Sequence, residues 1–162
     1  MVNPKFDDYE LKMLQILQDE GRKPVSELAE TIGLSTTPCG RRFDGLQKSG
    51  VIRGFHARLS RRAIGLNIEV FVQVSLTTHS GDAPERFKTE ILKRSEVTAC
   101  WALTGDQDFL LNVMVPDVDA LNQFVMQNLM KIDGVRDVKT NLVLENIKPA
   151  GAVPLAHLIS TG

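Results

Sequence analysis

The chain has 162 residues, enough for one compact domain or two small ones, and its 43% hydrophobic and 24% charged residues are ordinary for a soluble globular protein. Its formal net charge of −1 excludes a polycation, so any surface that binds nucleic acid must arise from local clusters of Lys and Arg. Two distant cysteines, Cys39 and Cys100, a polar N-terminus and apolar runs shorter than the ~18 residues of a membrane span predict a cytoplasmic protein without a membrane partner.

Three short helices are predicted at the N-terminal end. Apolar residues recur at helical spacing from Leu11 to Leu17. A second helix ends at Gly33, because glycine readily adopts the left-handed conformation that closes a helix. Ser35 is a favourable N-cap for a third helix that runs to about Ser49.

Alternating hydrophobicity, which is typical of strands, dominates the sequence after residue 66. Elements there follow the order β-α-β-β-α-β, which predicts an α+β fold with a ferredoxin-like domain. We therefore divide the chain into residues 1–60, with a strand and basic hinge to 66, residues 67–148, and a tail over residues 149–162. The predicted strands are Val51–Leu59, Ile68–Leu76, Val97–Leu103, Phe109–Val115 and Val135–Ile147.

The third helix has two chemically distinct sides. At about 100° per residue, Cys39, Phe43 and Leu46 fall together and predict the buried side. A short helix, a glycine turn and a second helix with outward cations is the plan of a helix-turn-helix. The predicted outward side carries Thr37, Arg41, Asp44, Gly45 and Lys48.

These outward residues predict contacts with double-stranded DNA. Residues at the start of a recognition helix reach base edges, so Thr36, Thr37 and Arg41 are candidates for base contacts. Arg42 and Lys48 are better suited to phosphates. Asp44 either repels phosphate or accepts a hydrogen bond from a cytosine amino group. The predicted DNA-binding residues are Ser35, Thr36, Thr37, Arg41, Arg42 and Lys48.

Two glycines inside the third helix need a reason. Each interior glycine costs ~1 kcal/mol relative to alanine. Small residues at Gly40 and Gly45 would let the helix approach either a DNA groove or its own neighbours closely. The alternative to DNA binding is a three-helix bundle whose charged side only meets water.

Six stretches of the sequence share the order and residue types of one known family. They are Leu11–Leu17, Glu27–Cys39, Leu46–Gly54, Thr104–Leu111, Asp133–Thr140 and the pair Pro154-Leu155. Together they resemble the Lrp/AsnC (feast/famine) family of bacterial transcription regulators over almost the whole chain. The family commonly has a large apolar residue where this chain has Gly40, and often a charged residue where it has Gly45.

The resemblance implies an N-terminal winged helix-turn-helix followed by a ferredoxin-like effector domain. It also implies homodimers built through the sheets, often assembled into octamers, with amino-acid effectors bound between dimers. A dimer suits DNA, because two helices must read half-sites ~34 Å apart. Apolar residues on both faces of the predicted sheet, such as Val72 and Phe71, agree with burial of one face against a second subunit.

On the basis of this resemblance, the turn over residues 104–108 is predicted to be the effector site. Carboxylates of Asp106 and Asp108 would hold an ammonium group, and turn N–H groups at Gly105 would receive a carboxylate. Thr104 adds a hydroxyl, and Met114, like Trp101, is a candidate for contact with the effector side chain. The same residues would also suit an ordinary hairpin turn.

Catalytic chemistry is not predicted. The histidines His56, His79 and His157 have no metal-binding spacing with each other or with a cysteine, and no nucleophile or phosphate loop is recognisable, so we expect no metal, no cofactor and no enzyme. Two classes of function remain. One is a DNA-binding regulator switched by an amino acid, and the other is an amino-acid-binding metabolic protein whose N-terminal helices mediate protein contacts.

Overall fold

A computed structural model describes residues 6–78, 81–148 and 151–159, which form two compact units. One unit contains the described residues up to 57 together with those from 148 onward, and the other contains residues 58–147. The C-terminal segment, which the sequence suggested only as a tail, is therefore part of the N-terminal unit.

The N-terminal unit is built on three helices, α1 (Asp8–Asp19), α2 (Val25–Ile32) and α3 (Thr36–Lys48). Asp7 caps α1 through a capping box, in which its carboxylate accepts from the backbone N–H of Glu10 at 2.8 Å and its own N–H donates to the Glu10 carboxylate at 3.0 Å. The core of the unit contains Met13, Leu14, Leu17, Leu28, Ala29, Ile32, Cys39 and Leu46.

Gly33 ends α2 as predicted. It has a φ of 75°, and the next N–H, of Leu34, donates to the Ala29 carbonyl at 2.9 Å. A side chain at this φ would be strained, so glycine makes the sharp turn into α3 possible. Ala29 is buried, which lets the short helices pack closely.

The predicted strand over Val51–Leu59 is wrong. The structure has no strand there, and its alternate side chains do not share a buried side, since Leu59 is 71% exposed. A strand needs a hydrogen-bonded neighbour, and the structure pairs no other strand with these residues. Instead, Phe55 stacks on Phe43 of α3 with ring centroids 6.1 Å apart.

The second unit is a four-stranded antiparallel sheet with helices on one face. Its strands lie in the order β2-β3-β1-β4, which with the βαββαβ chain order confirms the ferredoxin-like prediction. The elements are β1 (Ile68–Leu76), α4 (Ala83–Ile91), β2 (Val97–Ala102), β3 (Phe109–Val115), α5 (Val118–Gln123), which continues as a π-helical segment (Phe124–Leu129), and β4 (Val135–Leu142).

Strand alternation places the core of this unit on the helix-covered face. Val70, Val72 and Val74 of β1 are fully buried there, packed with Phe87 of α4 and Phe124 after α5. The opposite side, which we call the helix-free face, carries Glu69, Phe71, Gln73 and Ser75 of β1 and Leu110, Asn112 and Met114 of β3.

Strand β4 is shorter than predicted. It ends at Leu142, whereas the sequence suggested pairing as far as Ile147. Its partner β1 begins at Ile68, so the residues of the chain closer to Ile147 have no strand residue to pair with. Ile147 is accordingly 89% exposed. Strand β2 ends one residue earlier than predicted, at Ala102.

The C-terminal segment is fastened to α1. The Gln18 side-chain amide donates to the Val153 carbonyl at 3.2 Å and accepts from the Val153 N–H, so it pairs with both polar groups of one residue. Leu155 packs against the core of the unit, and a short helix, α6 (Ala156–Ile159), follows.

Candidate DNA-binding face and effector turn

Helix α3 presents the predicted DNA contacts to solvent. Thr36, Thr37, Arg41 and Lys48 are all exposed, as are Asp44 and Gly45, whereas Cys39 and Leu46 on the other side are 0% and 3% exposed. The two-sided helix predicted from periodicity is therefore confirmed. We call the side formed by Thr37, Arg41, Asp44, Gly45 and Lys48 the outer face of α3.

Ser35 is the N-cap of α3 but does not cap with its side chain. Its backbone is extended, with φ −74° and ψ 156°, and its hydroxyl makes no hydrogen bond to the first turn. The exposed hydroxyl therefore remains available to an external acceptor, next to the backbone N–H groups of the first turn.

Arg42, unlike Arg41, forms an ion pair with an acidic side chain of the same protein. Its Nε and Nη2 donate to the Asp7 carboxylate at 3.1 and 2.9 Å, and its guanidinium lies 5.5 Å from the centroid of the Tyr9 ring. Burial raises the pKa of Asp7, but the Glu10 N–H and the Arg42 guanidinium outweigh it, so the pKa lies below its ordinary value. A phosphate contact by Arg42 would have to compete with this pairing.

The turn between β2 and β3, which the sequence predicts as an effector site, is exposed at its tip. Thr104, Gly105 and Asp106 are all exposed, and Gly105 has a φ of 121°, a conformation that side chains rarely adopt. These three consecutive residues form the tip, and the Asp106 carboxylate is accessible from outside the turn.

The base of the turn is tied to β1. The Asp108 carboxylate accepts from the Leu76 N–H at 2.8 Å, and the Asp108 N–H donates to the Val74 carbonyl at 2.9 Å. The Ser75 hydroxyl donates to the Gln107 side-chain carbonyl at 2.8 Å. Asp108 is therefore half-buried and engaged with the backbone, which suits a residue that shapes the turn better than one that binds an ammonium group.

Met114 does not join this group within one subunit. It lies on the helix-free face opposite Glu69, near the far end of β3. It lies five positions along the strand from Phe109, which corresponds to about 17 Å. One small ligand cannot touch both positions in a single subunit. Trp101, which pairs with Leu110 and is 47% exposed, is nearer to the turn.

The structure contains a polar network on the helix-free face that the sequence did not predict. Arg61 lies 3.2 Å from the Glu69 carboxylate, whose other oxygen accepts from the Asn112 side-chain amide at 3.1 Å. Thr98 in turn donates to the Asn112 side-chain carbonyl. Glu69 and Asn112 are 9% and 8% exposed. Their position inside otherwise apolar strands was the available signal, since buried polar groups need partners.

The described part of the chain contains no cluster of three or more His, Cys, Asp or Glu residues that could hold a metal ion. None of its helices is long and apolar enough to cross a membrane. Burial raises the pKa of both cysteine thiols, Cys39 and Cys100, so neither has the depressed pKa of a nucleophile. His79 lies outside the described residues.

Family models match both units. The model described as "Lrp/AsnC ligand binding domain" matches residues 69–153, and the model described as "Winged helix-turn-helix DNA-binding" matches residues 6–53. The first covers the sheet from the second residue of β1 onward, including the turn over residues 104–108, and the second covers the outer face of α3.

Similar proteins span nearly the same length. The chain is 36% identical to the Bkd operon transcriptional regulator of Pseudomonas aeruginosa over 93% of its own length and 99% of the relative. It is 34% identical to the leucine-responsive regulatory protein of Escherichia coli over 88% of its own length and 87% of the relative.

A solved structure agrees with both matches. The crystal structure of a transcriptional regulator from Neisseria meningitidis in complex with L-Met superposes with a TM-score of 0.91 at 38% identity, covering 94% of this chain and 99% of that one. Since family models match both units and the relatives are matched along most of their length, the chain belongs to the Lrp/AsnC family of transcription regulators.

Proposed function

We propose that this protein regulates transcription by binding specific DNA sequences as a homodimer, and that an amino acid modulates its DNA binding or its assembly. The observation that carries the proposal is the outer face of α3, where Thr37, Arg41 and Lys48 are exposed together while the opposite side of the helix is buried. Because it must reach DNA, we place the protein in the bacterial cytoplasm.

Each DNA-binding residue has a distinct proposed role. Thr36, Thr37 and Arg41 read base edges, and an arginine can grip guanine with two hydrogen bonds. Lys48 contacts phosphate, and the uncommitted Ser35 hydroxyl supports a phosphate contact at the start of the helix. Arg42 contributes a phosphate contact only by leaving Asp7.

The amino-acid effector is proposed to bind at the exposed tip of the turn. Asp106 would pair with the effector ammonium, while Thr104 and the backbone at Gly105 would receive its carboxylate. Asp108 fixes the base of the turn, because its carboxylate accepts a hydrogen bond from the Leu76 N–H. The L-Met complex of the similar Neisseria meningitidis regulator supports an amino acid as the ligand class.

Pairing of two subunits is proposed to use the helix-free face of the sheet. That face carries the partly exposed Trp101 and the half-buried Phe71 and Leu110, which a second sheet would cover. Assembly of dimers into an octamer is proposed from the family resemblance alone, and Met114 would then take part in an effector site only where subunits meet.

Retardation of duplex DNA tests the function directly. Duplexes selected from a random-sequence library by the purified protein should migrate as a complex at concentrations where unselected duplexes stay free. Addition of single amino acids from a full panel should change either the affinity or the mass of the complex measured by light scattering. A protein that retards no duplex would contradict the proposal.

A further inference from the structure

We infer that Gly45, at a position where the family often has a charged residue, lets α3 of this chain approach its own target DNA more closely, so that the missing side chain is itself a determinant of recognition. This inference rests on the proposed DNA-binding function. Gly45 lies in the interior of a 13-residue helix, where glycine is less stable than alanine because it loses more backbone freedom on folding. A destabilising residue at such a position needs a compensating reason.

The fold supplies no such reason. A Cβ built at Gly45 meets no other described atom within 4 Å, beyond the backbone of its own helix, and the residue is not among the glycines with positive φ. Other glycines differ in this respect. A Cβ at Gly21 would lie 3.0 Å from the Phe55 ring, and Gly33 has a left-handed φ of 75°. Neither packing nor backbone conformation therefore requires glycine at position 45.

The position of Gly45 indicates what requires it. It lies on the outer face of α3, one turn after Arg41 and two turns after Thr37, and Lys48 follows less than one turn later. An object that contacts these exposed side chains from outside must also pass over Gly45. An α-helix with side chains is about 10–12 Å across, and the major groove of DNA is about 12 Å wide. Because the fit is this close, a side chain at position 45 adds to the distance between the helix backbone and the floor of the groove.

Gly40 provides the matched control within the same helix. It is half-buried, and a Cβ there would lie 3.8 Å from Cγ1 of Val25, an ordinary van der Waals contact within the protein. Alanine at position 40 should thus gain helix stability in the same way as alanine at position 45. It would add its methyl group toward α2 and not on the outer face.

The test compares G45A and G40A on duplexes that the wild-type protein has selected from a random-sequence library. Both variants should unfold at a higher temperature than wild type. G45A should bind the selected duplexes at least about tenfold more weakly, as an added methyl group in a tight contact would cause. G40A should stay within about twofold of wild type, a change well under the tenfold that 1.4 kcal/mol represents.

The salt dependence of binding provides an independent readout. The slope of log affinity against log salt should be unchanged in G45A, because the substitution removes no phosphate contact by a charged group. If G45A binds the selected duplexes as tightly as wild type, the inference is overturned while the proposed function stands. If wild type itself binds no duplex, the proposed function fails and the inference fails with it.

Discussion

The guanidinium of Arg61 joins the segment before the sheet to the buried carboxylate of Glu69. Its Nε lies 3.2 Å from the Glu69 carboxylate, while its Nη1 donates to the carbonyls of Leu66 and Asn67 at 3.0 Å each. The Glu69 carboxylate also holds Asn112 of β3. A single side chain thus fixes the turn over residues 60–66 against the helix-free face of β1.

Replacing Arg61 by alanine should destabilise the sheet unit by about 2–3 kcal/mol, because the Glu69 carboxylate would stay largely buried without its cation. Urea unfolding measures the change. Arg62→Ala is the control, since Arg62 is exposed, and it should change stability by less than about 0.5 kcal/mol. Equal stability of the two variants would show that the ion pair contributes nothing to the fold.

Replacing Asp7 by alanine should destabilise the N-terminal unit by about 1–2 kcal/mol, because α1 loses its capping box. Arg42 also loses its partner, so its guanidinium becomes free to move. Thermal unfolding followed by circular dichroism measures the loss. Asp8→Ala, which removes a neighbouring exposed carboxylate that is not the cap, should have a smaller effect.

The contribution of Asp7 should depend on pH. Since its pKa in the folded protein is below the ordinary value of 3.8, folding favours the ionised form. The stabilisation is therefore complete above pH values near 3.8 and is lost as the pH falls through the lower folded pKa. Wild type and Asp7→Ala should differ in stability at neutral pH and converge at acidic pH, once the Asp7 carboxyl is protonated in the folded protein as well. A difference that persists there would exclude the carboxylate as its cause.

Arg41 and Lys48 should contribute differently to DNA binding. Arg41→Ala should cost about 1–3 kcal/mol on selected duplexes and relax the preference for one base pair. Lys48→Ala should weaken binding to all duplexes equally and reduce the salt slope by about one. Mobility-shift titrations at several salt concentrations separate the two. Base preference that is unchanged in Arg41→Ala would remove this residue from the base-reading set.

Asp106 and Asp108 should separate ligand binding from the shape of the turn. Asp108→Ala leaves the buried Leu76 N–H without its acceptor and should cost about 1.5–3 kcal/mol of stability. Asp106→Ala changes an exposed group and should leave stability within about 0.5 kcal/mol.

Fluorescence of Trp101 reports binding in both variants. An amino acid that shifts the emission of wild type should no longer do so in Asp106→Ala. A retained shift in that variant would contradict the role of Asp106 as the ammonium partner.

Local patterns in the sequence predicted much of the fold. The 3.6-residue period of α3 separated Cys39 and Leu46 from Arg41, because burial of one side of a helix requires that spacing. Gly33 marked the end of α2, since its backbone conformation favours glycine over other residues. The alternation of β1 and β3 likewise predicted their bounds.

Features that depend on distant partners were not predictable in this way. Arg42 looked like Arg41 in the sequence, but only the fold brings Asp7 beside it. The apolar alternation after Val51 resembled a strand, although no neighbouring strand meets it in the structure. Glu69 and Arg61 are close in sequence, yet their pairing depends on how the turn between them returns to β1.

The two hydrogen bonds between Gln18 and Val153 join residues that are made at very different times during synthesis of the chain. Because chains are made from the N-terminus, α1 leaves the ribosome long before its partner residue exists, and the entire sheet is translated in between. The unit that carries α3 therefore completes its own contacts only when the last part of the chain has been made, because Val153 supplies both polar groups that pair with Gln18.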